Sequence, residues 1–540
     1  MKSNSAPDKI CSGEARLTAI FVAVVALSYA LLTGHMWEDY LITLRSSRNL
    51  VDGFGLVFQP GERVHTFTSP LGVLLPALTF WIGGHSATAG LWLFRIISIG
   101  ALATAAALTN DIAKRLGWPM VSRLLVTALI AFDAKTIDFT INGMETAFLI
   151  LGLVLYVRAH TLTDSRTGMY MLGAAAALLQ WTRPDAFIYI FALTAAFIFF
   201  PKAQRLSPSR TGLFLLYGRA AALATVLYAP WLIWACWYYG SPVPHTIIAK
   251  GLGHGAPNWG DLVRVAALHP FLGWASSTLD AIYMPHYLPQ FGGWPIVFHW
   301  FSRSLVWVAS AAWLWPRARY ETRALSLSFY LACFYVAYIP FLFPWYLPAP
   351  ALLATLTCGA VCADVSAWVA ARCPQRRYLI TAAAGICALS AAILLALSAW
   401  QMRAHQRIIE TKMRAVGEWL HGHARTPTDT VFMEPLGYIG YYSNLKMLDA
   451  TGLASTEVVT VRRRVGDDWG KLVYTLQPDW LVLRPWEAEN VRRSEPGLLD
   501  NSYELMQTFD VRAELQAVPM LFGPAFLQFD GVHLIYRRKS

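Results

Sequence analysis

The sequence predicts an α-helical polytopic membrane protein with a C-terminal extracytoplasmic α/β domain, and three observations predict it. Of 540 residues, 56% are hydrophobic and only 14% are charged, against roughly 25% charged in soluble domains. The mean hydropathy is accordingly positive, at +0.41. Apolar stretches of the roughly 17–25 residues that cross a bilayer recur up to residue 400 and stop there. The formal charge of +11 sits in short Lys and Arg clusters between those stretches, as membrane topology demands. No Arg-rich arm or aromatic RNA-binding motif accompanies it, which excludes nucleic acid as a partner.

The first stretch, 15–37, has no small-residue cleavage site ahead of Glu38 and reads as an uncleaved helix. Further stretches at 86–109, 119–134, 144–161, 168–182, 185–200, 213–238, 299–316, 324–342, 346–370 and 378–400 bring the expected total to about eleven transmembrane helices. Leu71–Gly84, at about 14 residues, is too short and reads as an interfacial helix. With that choice one side collects Lys2, Lys9 and Arg16, Lys114, Arg115 and Arg123, Arg158 and Arg166, Lys202, Arg205 and Arg210, Arg317, Arg319 and Arg323, and Arg372, Arg376 and Arg377. That side is expected to be the cytoplasm. The opposite face receives Glu38, Asp39, Asp52, Glu62, Asp138, Glu145 and Asp185.

Two long segments also fall outside. Tyr239–Phe298 is rich in Pro, Gly, His and Trp and is expected to lie over the membrane surface. From Gln401 an amphipathic helix, Met402–His423, carries Ile408, Ile409, Met413, Val416 and Leu420 near helical spacing. Short β-rich runs follow at Thr430–Met433, Trp480–Leu483 and Val532–Tyr536, with a helix-like segment at Trp469–Leu476. The division is therefore a transmembrane domain over 1–400 and an α/β domain over 401–540. None of the seven cysteines lies beyond residue 400, so the second domain has no disulfide framework.

The chemistry is expected to begin where the first helix leaves the bilayer. Glu38 and Asp39 are adjacent carboxylates at a surface where loss of hydration is costly. Either could simply be a solvated helix end. Their company argues otherwise: N-G-M-E-T at Asn142–Thr146 and T-R-P-D at Thr182–Asp185 place Glu145 and Asp185 at outer helix ends too. Such a cavity suits a reaction in which a hydroxyl loses its proton to a carboxylate base. Arg45, Arg48, Arg183 and Lys250, the last in P-V-P-H-T-I-I-A-K, offer positive charge for a leaving group. F-P-W-Y-L-P-A-P, Phe343–Pro350, reads as an interfacial aromatic belt or a wall for a lipid chain or sugar.

No metal is expected. His65, His245 and His254 lack an H-x-x-x-H or C-x-x-C companion, and adjacent Glu38 and Asp39 diverge by about 100° on a helix. E-P-L-G-Y-I-G-Y-Y-S, Glu434–Ser443, followed by M-L-D-A-T-G-L, reads as a strand-turn-helix pattern with neither a G-x-G-x-x-G fingerprint nor a Walker loop. No cofactor is expected.

Together E-D-Y-L-I-T-L-R-S-S-R-N-L, G-L-V-F-Q-P-G-E-R-V-H-T-F-T-S-P-L, N-G-M-E-T-A, T-R-P-D, P-H-T-I-I-A-K, Y-I-G-Y-Y-S and L-D-A-T-G-L resemble, in order along the chain, the GT-C fold glycosyltransferases that use polyprenyl-phosphate sugars. The nearest group contains the mycobacterial terminal β-(1→2)-arabinofuranosyltransferase and its proteobacterial relatives. The resemblance implies a bacterial inner-membrane enzyme working on the periplasmic side. Its donor would be a polyprenyl-phosphate sugar such as decaprenyl-phospho-arabinose, and its acceptor a glycan, lipid or protein. It implies Asp39 as catalytic base with Glu38 as the alternative, and Lys250 with Arg183 or Arg48 on the donor phosphate. Asp185, Glu145, His245 and Tyr346 would contact substrate. The family tends to have Asp at the position of Glu38, which leaves the choice within the acid pair open, and Asn at that of His245, which leaves the donor and acceptor open. The competing class is a transporter or flippase of a lipid-linked sugar, against which stands the lack of repeated halves.

Overall fold

A helix occupies each of the apolar stretches in the computed structural model, which describes residues 13–162, 166–201, 210–252, 260, 282–285, 293–338, 343–519, 522 and 524–539. Lys2, Lys9, Cys11, Lys202, Arg205, His254 and most of the 239–298 segment lie outside the described residues. Among the described residues five helices are long and apolar enough to cross a bilayer: α1 (Gly13–Thr33), α4 (Ala87–Arg115), Leu215–Tyr239, Pro348–Arg372 and the run Pro374–His423. The chain is thus a multi-pass membrane protein. Pro70–Ile82, Met120–Phe132, Thr146–Thr161 and Ala186–Phe199 are shorter apolar helices.

Small residues let these helices approach, because lipid offers no hydrophobic gain and packing must supply the attraction. α1 buries Val22, Ala26 and Ala30 while α4 buries Leu102, Ala105 and Ala106, and the two pack together. At Gly173 a Cβ would stand 2.8 Å from the Ala220 carbonyl oxygen, so that helix pair needs a glycine.

After a short bend the chain enters α2 (Glu38–Val51), an amphipathic helix whose Tyr40, Leu41 and Leu44 are fully buried. α3 (Pro70–Ile82) packs beside it, its N-terminus capped by the Ser69 hydroxyl, which accepts from Gly72 N–H at 2.7 Å. Opposite lies a five-stranded sheet: β1 (Thr430–Met433), β2 (Lys446–Asp449), β3 (Trp480–Leu483), β4 (Tyr503–Asp510) and β5 (Val532–Arg538), in the order β2-β1-β3-β5-β4. β2, β1 and β3 are parallel, with Phe432 opposite Leu448 and Leu481. β5 runs antiparallel between β3 and β4, with Leu481 opposite Tyr536. Alternation assigns the two faces. Phe432, Leu448 and Leu481 pack with Val458, Leu472 and Val491 on one side; Val431, Met447, Trp480 and Val482 on the other share one buried core with Tyr40, Leu41 and Leu44 of α2.

Several elements depart from the sequence expectation. Met402–His423 is not one uninterrupted amphipathic helix: the last apolar helix, Arg377–Ala404, continues through a π-helical turn, His405–Glu410, into Thr411–His423. The Glu434–Ser443 segment is helical from Leu436 and precedes a strand, rather than forming strand and turn. β2 and β4 have no counterpart among the expected β-runs; β4 is largely exposed and so lacks a hydrophobic alternation to announce it.

Candidate active site

The first turn of α2 separates the two acids as helical geometry requires, since successive side chains point about 100° apart. Glu38 turns to the helix Leu436–Ser443, where Gly437 N–H donates to its Oε1 at 2.9 Å. A Cβ at Gly437 would stand 2.2 Å from the Glu38 carbonyl oxygen, so this contact depends on glycine. Asp39 turns the other way, into a cavity of about 470 Å³.

That cavity collects Asp39, Glu145, Arg183, Asp185, Lys250 and Tyr346 from five separate segments. Gly143, at φ +106°, makes the turn that brings N-G-M-E-T against α2; a Cβ there would lie 2.3 Å from the Tyr40 ring. Glu145 follows, close under the N-terminus of α3. In T-R-P-D, Arg183 forks onto Asp185, Nε to Oδ1 at 2.9 Å and a terminal nitrogen to Oδ2 at 3.1 Å, and reaches Glu145 Oε1 at 3.5 Å. The same guanidinium lies 4.8 Å from the centroid of the Tyr346 ring. Lys250, from the short helix His245–Gly251, stands 4.8 Å from the Phe343 ring centroid and 5.9 Å from that of Trp345. His245 N–H donates to the His65 carbonyl at 2.9 Å and ties this helix to V-H-T-F-T-S-P-L, whose Thr66, Phe67, Thr68 and Ser69 form another wall.

Electrostatics sharpen this arrangement. Burial raises the Asp39 carboxyl above the ordinary range, opposed by the Lys250 ammonium. Burial likewise raises Glu145, opposed by Arg183. Lys250 is lowered by burial, with Asp39 pulling back. Burial works against the Arg183 charge, but Asp185 and Glu145 more than offset it and hold the guanidinium firmly charged. Outside the cavity Glu38 is pushed well above the ordinary range by burial and then by Glu434. A carboxylate base facing two cations can accept a proton while a departing anion is stabilised across the same space.

Besides Glu38, three of the expected contributors are not brought into the cavity. Arg48 donates to Asn444 Oδ1 at 2.7 Å and lies over Tyr441, on the side of α2 facing the sheet region. Arg45 is buried beneath that helix, donating to the carbonyls of Gly440 and Leu445 at 2.7 and 2.9 Å. His245 itself is not among the lining residues, although its neighbours Thr246 and Ile247 are. Tyr335 is a contributor the sequence did not disclose: its hydroxyl donates to Asp185 Oδ2 at 2.9 Å from the last turn of an apolar helix, Tyr320–Tyr338. The group of three metal-ligating side chains found among the described residues, His35, His405 and Glu410, lies outside the cavity.

Residues 401–528 match a family described as a domain of unknown function (DUF8728). No curated protein matches the chain. Among solved structures, the crystal structure of ArnT from Cupriavidus metallidurans in the apo state aligns with a TM-score of 0.55 at 12% identity, covering 97% of this chain and 98% of that one. The same protein bound to undecaprenyl phosphate aligns at 0.50 and 12% identity, over 96% and 97% of the two chains. At that identity the likeness is one of fold, and it extends over nearly the whole length: the chain has the GT-C fold.

Proposed function

We propose that this protein is an inverting membrane glycosyltransferase that moves a sugar, an arabinofuranose by its sequence resemblance, from a polyprenyl-phosphate donor to an extracytoplasmic hydroxyl. The observation that carries the reading is the convergence of Asp39, Lys250 and Arg183 on one cavity from which Glu38 is turned away. Asp39 takes the acceptor hydroxyl proton as the acceptor oxygen forms its bond to the anomeric carbon. The bond from that carbon to the phosphate oxygen breaks on the opposite face, its electron pair leaving with polyprenyl phosphate. Lys250 and Arg183 stabilise that departing charge. Asp185, Glu145 and Tyr335 hold the Arg183 fork in place.

The ArnT structure bound to undecaprenyl phosphate supports a polyprenyl-phosphate donor here. The sorting of Lys and Arg away from the acids supports a periplasmic cavity in a bacterial inner membrane. The C-terminal region, 401–540, acts as an extracytoplasmic domain that helps hold the acceptor. A family match beginning at 401 and the presence of Leu453 in the cavity wall support this. Mass spectrometry of envelope glycans and glycolipids from a deletion strain tests the reading. Loss of one pentose, restored by the wild-type gene and not by Asp39→Asn, is expected. A hexose difference would overturn the arabinosyl assignment, and restoration by Asp39→Asn would overturn the mechanism.

A further inference from the structure

Beneath the start of α2, outside the cavity, His35, His405 and Glu410 bring three ligand atoms within 4.8 Å of one another. His35 comes from the bend between α1 and α2; His405 and Glu410 are the two ends of the π-helical turn. On an α-helix residues five apart diverge by about 140°. On a π-helix, which closes i→i+5 hydrogen bonds, they stack on one side. The π turn is therefore what brings His405 and Glu410 together, and such turns are frequent at functional sites.

The surrounding contacts fit a coordination shell. Glu410 Oε1 touches His35 Nδ1 and lies 3.1 Å from His405 Nδ1. Its Oε2 accepts from the Tyr438 hydroxyl and from Met36 N–H. Across the His35 ring, Nε2 is buried without a hydrogen-bond partner and faces Asp138 Oδ2 at 3.8 Å; Asp138 Oδ1 is also buried and unpartnered. Arg95, the neighbouring cation, gives its N–H groups to the carbonyls of Ile141, Gly34 and His35 rather than to either carboxylate.

We propose that His35, His405 and Glu410 bind a divalent transition ion, zinc by their chemistry, which fastens the segment bearing Asp39 to the C-terminal region. Two imidazole nitrogens and one carboxylate form a donor set that zinc takes and that magnesium or calcium does not. Zinc bonds of about 2.0–2.2 Å would separate tetrahedral ligand atoms by about 3.4 Å, so small side-chain rotations admit the ion. A ligating histidine ordinarily gives its second nitrogen to a carboxylate, which accounts for Asp138. The Tyr438 hydroxyl oxygen, its proton given to Glu410, also lies 3.0 Å from the carbonyl oxygen of Met36, three residues before Asp39.

The full-length chain, purified in detergent and desalted, would be assayed for metal by inductively coupled plasma mass spectrometry. About one zinc per chain is expected, falling at least about tenfold in His405→Ala and in Glu410→Gln and unchanged in His423→Ala. Wild-type protein stripped with a chelator should take up ZnCl2 in competition with a chromogenic chelator and melt several degrees higher for it. These two wild-type measurements decide the matter even where a variant fails to fold. A wild-type chain that retains no zinc and whose melting does not respond to ZnCl2 would show that His35 and Glu410 form only an ion pair. Equal zinc in wild type and both folded variants would overturn the site as assigned.

Discussion

Asp39→Asn keeps the shape of the side chain that enters the cavity and removes its capacity to accept a proton. General-base catalysis contributes about 10²–10⁴-fold, so the transfer rate should fall by that factor, equivalent to about 3–5 kcal/mol at 1.36 kcal/mol per decade. Glu38→Gln is the contrasting change. Glu38 accepts one hydrogen bond from Gly437, which an amide oxygen also accepts, and burial already favours its neutral form. The loss there should stay near 1 kcal/mol, or about fivefold. The assay is single-turnover release of polyprenyl phosphate from a synthetic polyprenyl-phosphoryl sugar in detergent, with circular dichroism and melting to show that both variants fold. A loss of about 100-fold in Glu38→Gln beside a near-normal Asp39→Asn would refute the division of labour between the two acids.

Other expectations follow from the same geometry. The pH profile of single-turnover transfer should be bell-shaped: the base must be deprotonated, so activity rises through the elevated Asp39 pKa, and the phosphate partner must be charged, so it falls through the depressed Lys250 pKa. Lys250→Met should remove the alkaline limb along with most of the rate. Arg183→Lys loses the planar fork onto Asp185; losing charge-assisted bonds of about 1.5–3 kcal/mol should lower kcat/KM for the donor about 10–100-fold, measured by steady-state titration. Gly437→Ala forces a Cβ into the Glu38 backbone and should loosen the junction between α2 and the sheet, seen as faster limited proteolysis after residue 400. Arg45→Met leaves the Gly440 and Leu445 carbonyls without their buried donor; a cost of about 3 kcal/mol should appear as a lower melting temperature with no change in pH profile.

Much of the arrangement was legible because helices and acids obey local rules. Apolar length located the longer helices of the membrane region but not the short buried helix Ala134–Ile141, and the 100° divergence of adjacent residues on a helix argued against Glu38 and Asp39 sharing one ion. Glu145, Asp185 and Arg183 could be nominated because each stood at the end of an apolar stretch, and Lys250 because it was a cation in the long outer segment that follows one. What stayed hidden was decided by contacts between remote segments. Arg48 looked equivalent to Arg183 as a cation near the acids, yet it faces Asn444, almost 400 residues away in sequence. Tyr335 lies inside a helix with no polar period to single it out. β4, exposed along most of its length, carried no alternation. The His405–Glu410 pairing needed a π turn, whereas an α-helical reading puts those side chains on different faces.

The proposed transfer requires that the cavity cleave a polyprenyl-phosphate sugar rather than pass it across the bilayer. Purified protein would be reconstituted into liposomes with a polyprenyl-phosphoryl arabinose radiolabelled in the sugar, and the label followed among intact donor, transferred product and the opposite leaflet. Release of polyprenyl phosphate and appearance of label on an added glycan acceptor are expected, both abolished by Asp39→Asn. Intact labelled donor moving between leaflets, with no polyprenyl phosphate released and no dependence on Asp39, would contradict the proposed transfer.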